Sequence, residues 1–167
     1  KAKATLDLIR PAVAETGAPR LKATESVMRA QYVIETRSWE MLRAEASFST
    51  SAELFAIGLS AAETGLPQVA ARARNELRRR SQSQKLDAAI MEKELAAVLE
   101  LREGKGARAV ELMQEAVALE KALPPPFGPP RPVKPSYELQ GEILLELGRH
   151  PDAALAFEQS LARWPNR

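Results

Sequence analysis

One spacing of small residues, found twice, most constrains what this chain can fold into. Gly58 and Gly65 lie seven residues apart, and so do Gly141 and Gly148. An alanine follows the second glycine of each pair by five residues. In both places the first glycine lies on an apolar helical stripe, and the second lies where a helix can end in the left-handed conformation. The spacing therefore predicts two helical hairpins built on one shared repeat unit.

The clearer of these hairpins covers residues 135–167. Its first helix is predicted to end at Gly148, and Pro151 is suited to the first turn of the second helix. The small residues Gly141 and Ala153 are expected to let the two helices approach closely. The predicted apolar stripe of the second helix consists of Ala154, Phe157, Leu161 and Trp164.

Similar patterns predict paired helices along the rest of the chain. The predicted helices are one that ends at Gly17, residues 21–36, a short helix after Trp39, residues 51–64, a helix from Pro67, residues 86–103 and a helix through Ala109. The predicted turn residues are Arg37, Gly65, Gly104 and Gly148, which lie 28, 39 and 44 residues apart. The fold class is therefore all-α, with hairpins of unequal length.

A proline-rich segment at residues 124–135 separates the last hairpin from the others. Proline makes up more than half of it, so polyproline II is expected and helix is excluded. We expect the segment to be a stiff connector that packs on the helices through Phe127, because burial of a Phe side chain is favourable by about 1.5–3 kcal/mol. Its PxxP sequences are also typical of ligands for aromatic-lined grooves.

Taken together, an aromatic residue, a small residue, a turn glycine, a packing alanine and a terminal proline resemble the tetratricopeptide repeat. The stretch PPPFGPPRPVKPSYELQGEILLELGR also resembles a group of bacterial tetratricopeptide proteins. The resemblance implies a single α-solenoid over residues 1–167, with about four irregular repeats of antiparallel hairpins. It also implies a concave groove that binds a protein or peptide. The groove residues that it implies are Val27, Gln31, Glu35, Phe55, Leu59, Glu63, Glu94, Val98, Arg102, Glu138, Glu142 and Leu145.

Composition restricts the chemistry. The chain has no cysteine and one histidine, His150, so neither a metal-ligand set nor a nucleophilic triad can be assembled, and no cofactor is expected. Pairs of acids such as Glu94 with Glu100, or Glu142 with Glu146, are interpreted as solvated helix faces. No run of about 18 apolar residues is present, so no membrane span is predicted. The absence of cysteine suits cytoplasm and periplasm alike.

The densest basic patch contains Arg72, Arg74, Arg78, Arg79 and Arg80. Clustered arginines can bind phosphates, but this patch lacks aromatic neighbours for stacking on bases. The formal net charge of the whole chain is only +2. We therefore interpret the patch as a salt-bridged helix face and expect no nucleic-acid partner.

The sequence thus favours a protein-binding scaffold without enzymatic activity. The alternative is a structural helical segment of a larger enzyme or secreted protein whose active part lies upstream. A third interpretation is self-association through the open ends of the helical array. Because the chain does not begin with Met, we expect it to be part of a longer protein.

Overall fold

The computed structural model describes residues 2–42, 50–83, 85–124 and 132–165. These residues form α-helices without β-strands. The helices are α1 (Ala2–Thr16), α2 (Pro19–Thr36), α3 (Ser51–Glu63), α4 (Pro67–Ser81), α5 (Leu86–Arg102), α6 (Gly106–Lys121), α7 (Ser136–Glu146) and α8 (His150–Arg163), and a short 3-10 helix covers Trp39–Leu42. The all-α prediction is confirmed.

The helix ends follow local chemistry. All four predicted turn residues have positive φ, from 53° at Arg37 to 77° at Gly104. Gly148, with φ of 73°, reverses the chain between α7 and α8, a conformation that costs glycine little because it has no Cβ. Pro151 lies in the first turn of α8, as predicted. At the start of α3 the Thr50 hydroxyl accepts a hydrogen bond from the Glu53 amide at 3.1 Å and caps the helix.

Successive helices pack against each other in chain order, and α3–α4, α5–α6 and α7–α8 are close antiparallel pairs. In addition, α5 contacts both α3 and α7, so it is surrounded by α3, α4, α6 and α7. The short 3-10 helix contacts α2 and α3. The result is a helical fold with a repeat-like order of neighbours. None of the described helices has the length and apolarity needed to cross a membrane.

Small residues allow the paired helices to approach closely. Ala153, predicted as a packing alanine, is fully buried. A Cβ placed on Gly141 would lie 2.6 Å from Cε1 of Phe157 in α8, so that glycine contacts the partner helix as predicted. Gly58 is equally crowded, because a Cβ there would meet the side chain of Leu95 in α5.

The predicted apolar stripe of α8 is wrong in part. Ala154 is exposed, and Leu161 is 57% exposed. The buried face instead contains Ala153, Ala156 and Ser160, and Trp164 follows it just beyond the helix. The stripe is shifted because α8 packs mainly on one neighbour, α7, and the small residues face that contact.

The end of the proline-rich segment is packed into the protein. The backbone and side chains from Pro132 to Ser136 are buried, and Val133 belongs to the main apolar core. Residues 125–131 lie outside the described part, so the predicted docking of Phe127 lies there too.

A buried polar cluster joins the last hairpin to the preceding helices. Glu120 of α6 accepts a hydrogen bond from the Ser136 amide at 2.6 Å and another from Trp164 Nε1 at 3.0 Å. The Ser136 hydroxyl donates to Glu94 Oε1 at 2.8 Å. The Glu120 carboxylate thus lies at the N-terminus of α7, where a negative charge is favourable. This cluster sets the position of α7 against α5 and α6.

Candidate functional site

A cavity of about 290 Å³ lies where α2, α3, α5, α7 and the short 3-10 helix meet. Its apolar walls come from Ile34, Trp39, Leu59, Val98, Leu101, Leu139, Ile143 and Leu145. Its charged residues are Arg37, Glu63, Arg102, Lys134, Glu142 and Glu146. The volume lies just below the range for ligand pockets, about 300–1,000 Å³, and suits one or two side chains of a partner.

Part of the predicted groove converges on this cavity. The predicted residues that line it are Leu59, Glu63, Val98, Arg102, Glu142 and Leu145. They belong to three helices, α3, α5 and α7, and α5 packs against both of the others. Each of these three helices therefore presents at least one predicted groove residue on the same side.

The other predicted groove residues lie elsewhere. Phe55 and Glu94 are fully buried, so the expectation that they face a partner is wrong. Both point into the core because α3 and α5 are covered on several sides by neighbouring helices. The cavity lining does not include Val27, Gln31, Glu35 and Glu138. The contribution of α2 comes instead from its C-terminal end, through Ile34 and Arg37.

Arg102 holds the cavity walls together. Its Nη2 donates to Glu63 Oε1 on α3 at 2.7 Å, and its Nη1 donates to Glu146 on α7. Burial of the guanidinium acts to lower the pKa of Arg102, but the hydrogen bonds to Glu63 and Glu146 outweigh it and raise that pKa. Arg102 thus joins two helices whose backbones do not pack on each other.

Lys134 supplies a second cation from the buried end of the proline-rich segment. Its side chain is 7% exposed, and its Nζ donates to Glu138 at 3.0 Å and to Glu142 at 2.9 Å. Glu142 also lies 3.8 Å from Arg37. The cations and anions that line the cavity are therefore paired with each other, and its accessible surface is divided almost evenly between polar and apolar atoms.

Comparison of the chain with family models, curated proteins and solved structures found no match. The site is therefore interpreted from its own geometry. Within the described residues, no group of His, Asp or Glu side chains is arranged to hold a metal ion. Glu142 and Glu146, considered above as a pair of acids, are bound to Lys134 and Arg102 respectively.

The arginine patch of α4 is salt-bridged, as predicted. Arg74 and Arg78 both reach Glu92 of α5, at 2.9 and 3.3 Å. Arg79 and Arg80 pair with Glu76 on their own helix, at 2.6 and 3.1 Å. Four arginines of the patch are thus bound to carboxylates.

The sequence interpretation missed the contribution of Trp39, Lys134 and the apolar residues Leu139 and Ile143. The sequence places Trp39 only before a short helix, and Lys134 only within the proline-rich connector. A signal for Lys134 was present, because Glu138 and Glu142 follow it at intervals of four residues, which places both acids on one side of α7.

Proposed function

We propose that this protein is a tetratricopeptide-like solenoid that binds a protein or peptide segment in the groove formed by α2, α3, α5 and α7. The order of helix contacts supports the architecture: α3, α5 and α7 form one row, and α4 and α6 each pack between two members of that row. In this scheme α1 is the second helix of an incomplete repeat, and α2 with the short 3-10 helix is a truncated hairpin. About four irregular units result.

One observation carries the binding proposal. Predicted groove residues from three separate helices line a single cavity, although no two of those helices are neighbours in the chain. The concave face of a row of helices is the surface by which solenoid proteins hold extended partners, and this cavity offers both apolar and polar surface on that row. The partner would place an apolar side chain on the exposed Leu145, over the buried side chains of Leu59 and Val98, and the paired charges of the lining would set its direction.

A random peptide display library selected against the whole protein tests this proposal. Leu145 is 46% exposed, so Leu145→Asp places a charge in the groove without disturbing the core. We expect selected peptides to bind this variant at least about tenfold more weakly, which corresponds to about 1.4 kcal/mol. The matched control is Leu161→Asp, because Leu161 is 57% exposed on α8 and lies outside the cavity.

Binding that is lost equally in both variants, or in neither, would contradict a site in the groove. Thermal unfolding of the two variants should be recorded first, so that a loss of binding is compared only between folded proteins. A peptide that contacts Leu145 should also protect the amides of α7 from hydrogen exchange.

A further inference from the structure

A second cavity, of about 220 Å³, lies between α6, α7 and α8. It uses a different side of α7 from the groove, because Gln140 and Leu144 line it whereas the groove takes Leu139, Ile143 and Leu145. It shares no lining residue with the first cavity. The two sites can therefore be perturbed separately.

Apolar side chains from α6, α7 and α8 make up the smaller part of the accessible lining of this second cavity. Leu144 and Ala156 are each 4% exposed and form a small core cluster against which Val110 packs. Leu155 stands beside that cluster and is 54% exposed. An apolar side chain of leucine size placed here would cover Leu155 and contact Leu144, which removes apolar surface from water.

Three carboxamides also line the cavity, from Gln114, Gln140 and Gln159. The described part of the chain supplies no hydrogen-bond partner to any of these three side chains. Each carboxamide carries a donor and an acceptor, the same two functions that a peptide group carries. Gln114 is exposed, and Gln140 and Gln159 are half-buried, so all three side chains are accessible to a partner.

The remaining lining residues make the cavity electrically neutral. Arg149 Nε and Nη2 reach Asp152 Oδ2 at 2.8 and 2.7 Å, so the two charges of the lining compensate each other. No lining residue is aromatic, which gives no surface for stacking a base. The chemistry that matches this lining is a neutral chain of amide groups with an apolar side chain.

We propose that this second cavity binds an extended, uncharged peptide segment. The segment would place a leucine-like side chain on Leu144 and Leu155. Its backbone N–H and C=O groups would pair with the carboxamides of Gln114, Gln140 and Gln159. This site is independent of the groove between α3, α5 and α7, and it stands even if the groove has no partner.

The minimal probe is N-acetyl-leucine N′-methylamide, titrated into the whole protein labelled with ¹⁵N. The side-chain NH₂ signals of Gln114, Gln140 and Gln159 should shift together along one saturating curve. Gln68 carries the same group on α4, lines neither cavity and is an internal control whose signal should stay in place. The absence of a shift, or an equal shift at Gln68, would overturn the proposal.

Two further comparisons test the amide chemistry. N-acetyl-leucine methyl ester lacks one N–H donor, so it should bind about two- to tenfold more weakly, the effect of one hydrogen bond. Equal affinity of ester and amide would refute recognition of the backbone. Gln159→Met keeps the side-chain length and removes the amide, so it should weaken binding by a similar factor; unchanged affinity would count against the site.

Leu155→Asp should abolish the shifts, whereas Leu161→Asp on the same helix should preserve them. Retained shifts in the Leu155 variant would overturn the proposed contact between Leu155 and the leucine side chain of the probe. Leu145→Asp, which alters the groove, should leave the titration unchanged. This last result separates the two sites. If the groove has no partner, the carboxamide shifts are still expected; if the carboxamide shifts are absent, binding in the groove is still expected.

Discussion

Replacing Glu94 by glutamine should stabilise the protein at neutral pH. Glu94 lies in α5 with no exposed surface. Its Oε1 accepts a hydrogen bond from the Ser136 hydroxyl at 2.8 Å, but Oε2 has no partner among the described residues. A buried carboxylate with an unsatisfied oxygen is unfavourable, because the charge has lost its water without a full set of hydrogen bonds.

The environment raises the pKa of Glu94 well above 4.5. Burial is the main cause, and the nearby carboxylate of Glu120 adds to it. The hydrogen bond from Ser136 and the charge of Lys134 act in the opposite direction. Between 4.5 and the folded-state pKa, the folded protein therefore holds more protons at this site than the unfolded chain does. The contribution of Glu94 to the free energy of unfolding is greatest below pH 4.5 and falls as the pH rises from 4.5 to the folded-state pKa.

The size of the effect follows from the proton uptake. Each pH unit above 4.5 costs the folded state about 1.4 kcal/mol until the folded-state pKa is reached. At pH 7 the cost from Glu94 is therefore at most about 3–4 kcal/mol. Glutamine has the same shape, keeps an oxygen for Ser136 and does not titrate. We expect Glu94→Gln to match the original protein near pH 4 and to exceed it progressively as the pH rises.

Urea unfolding followed by circular dichroism, at several values from about pH 4 to about pH 8, measures this difference. The matched control is Glu92→Gln, two positions earlier on α5. Glu92 is also buried but is bonded to Arg74 and Arg78, so its replacement should lower the free energy of unfolding by about 1–3 kcal/mol. A Glu94→Gln protein that is less stable at pH 7, or whose advantage does not grow with pH, would refute the reasoning.

Three further predictions concern the last hairpin and the arginine patch. Gly141→Leu should lower the free energy of unfolding by about 1–3 kcal/mol through overpacking against Phe157, measured by thermal or urea unfolding. Glu120→Gln should lower it by about 3 kcal/mol, because the carboxylate that receives bonds at the start of α7 is lost. Hydrogen bonding from Arg79 lowers the pKa of Glu76 to about 2. The stabilising effect of the hydrogen bond between Arg79 and Glu76 is present above pH 4.5 and is lost as the pH falls toward about 2. Carboxyl NMR should show this titration, and Arg79→Ala should raise the pKa of Glu76.

Matched variants serve as controls for these predictions. Ala154→Leu adds a similar side chain on the exposed face of α8 and should change the free energy of unfolding by no more than about 0.5 kcal/mol. Glu111 is exposed at the surface of α6, so Glu111→Gln should also have little effect. If either control is as destabilising as its partner variant, the loss arises from the helix in general and not from the contact with Phe157 or from the buried carboxylate.

Helix positions and turns were predictable from sequence because they depend on neighbouring residues. Gly65, Gly104 and Gly148 mark turns through a backbone conformation that other residues rarely adopt, and Pro67 and Pro151 mark the starts of helices. These signals act within a few residues and require no knowledge of the fold. The close approach at Gly141 was also predictable, since a hairpin brings its two helices together locally.

The lining of the first cavity was predictable only in part. Leu59, Val98 and Leu145 could be assigned to one surface from their place in the predicted repeat. The pairing of Lys134 with Glu138 and Glu142 could be predicted from their spacing of four residues, but the position of Lys134 and Trp39 at the cavity depends on tertiary packing. A repeat pattern identifies positions that are equivalent from one repeat to the next, but it does not tell where a segment inserted between repeats packs.

Burial of individual polar residues was decided by the tertiary structure alone. Glu94 belongs to a helix with neighbours on four sides, so a position that would be solvated on an isolated amphipathic helix is enclosed. Glu120 is enclosed because Ser136 and Trp164, 16 and 44 residues later in the chain, close over it. On α8 the opposite occurs, since one main neighbour leaves Leu155 and Leu161 exposed despite their apolar character. Sequence determines where a helix forms, but the number and direction of its neighbours determine which of its sides is buried.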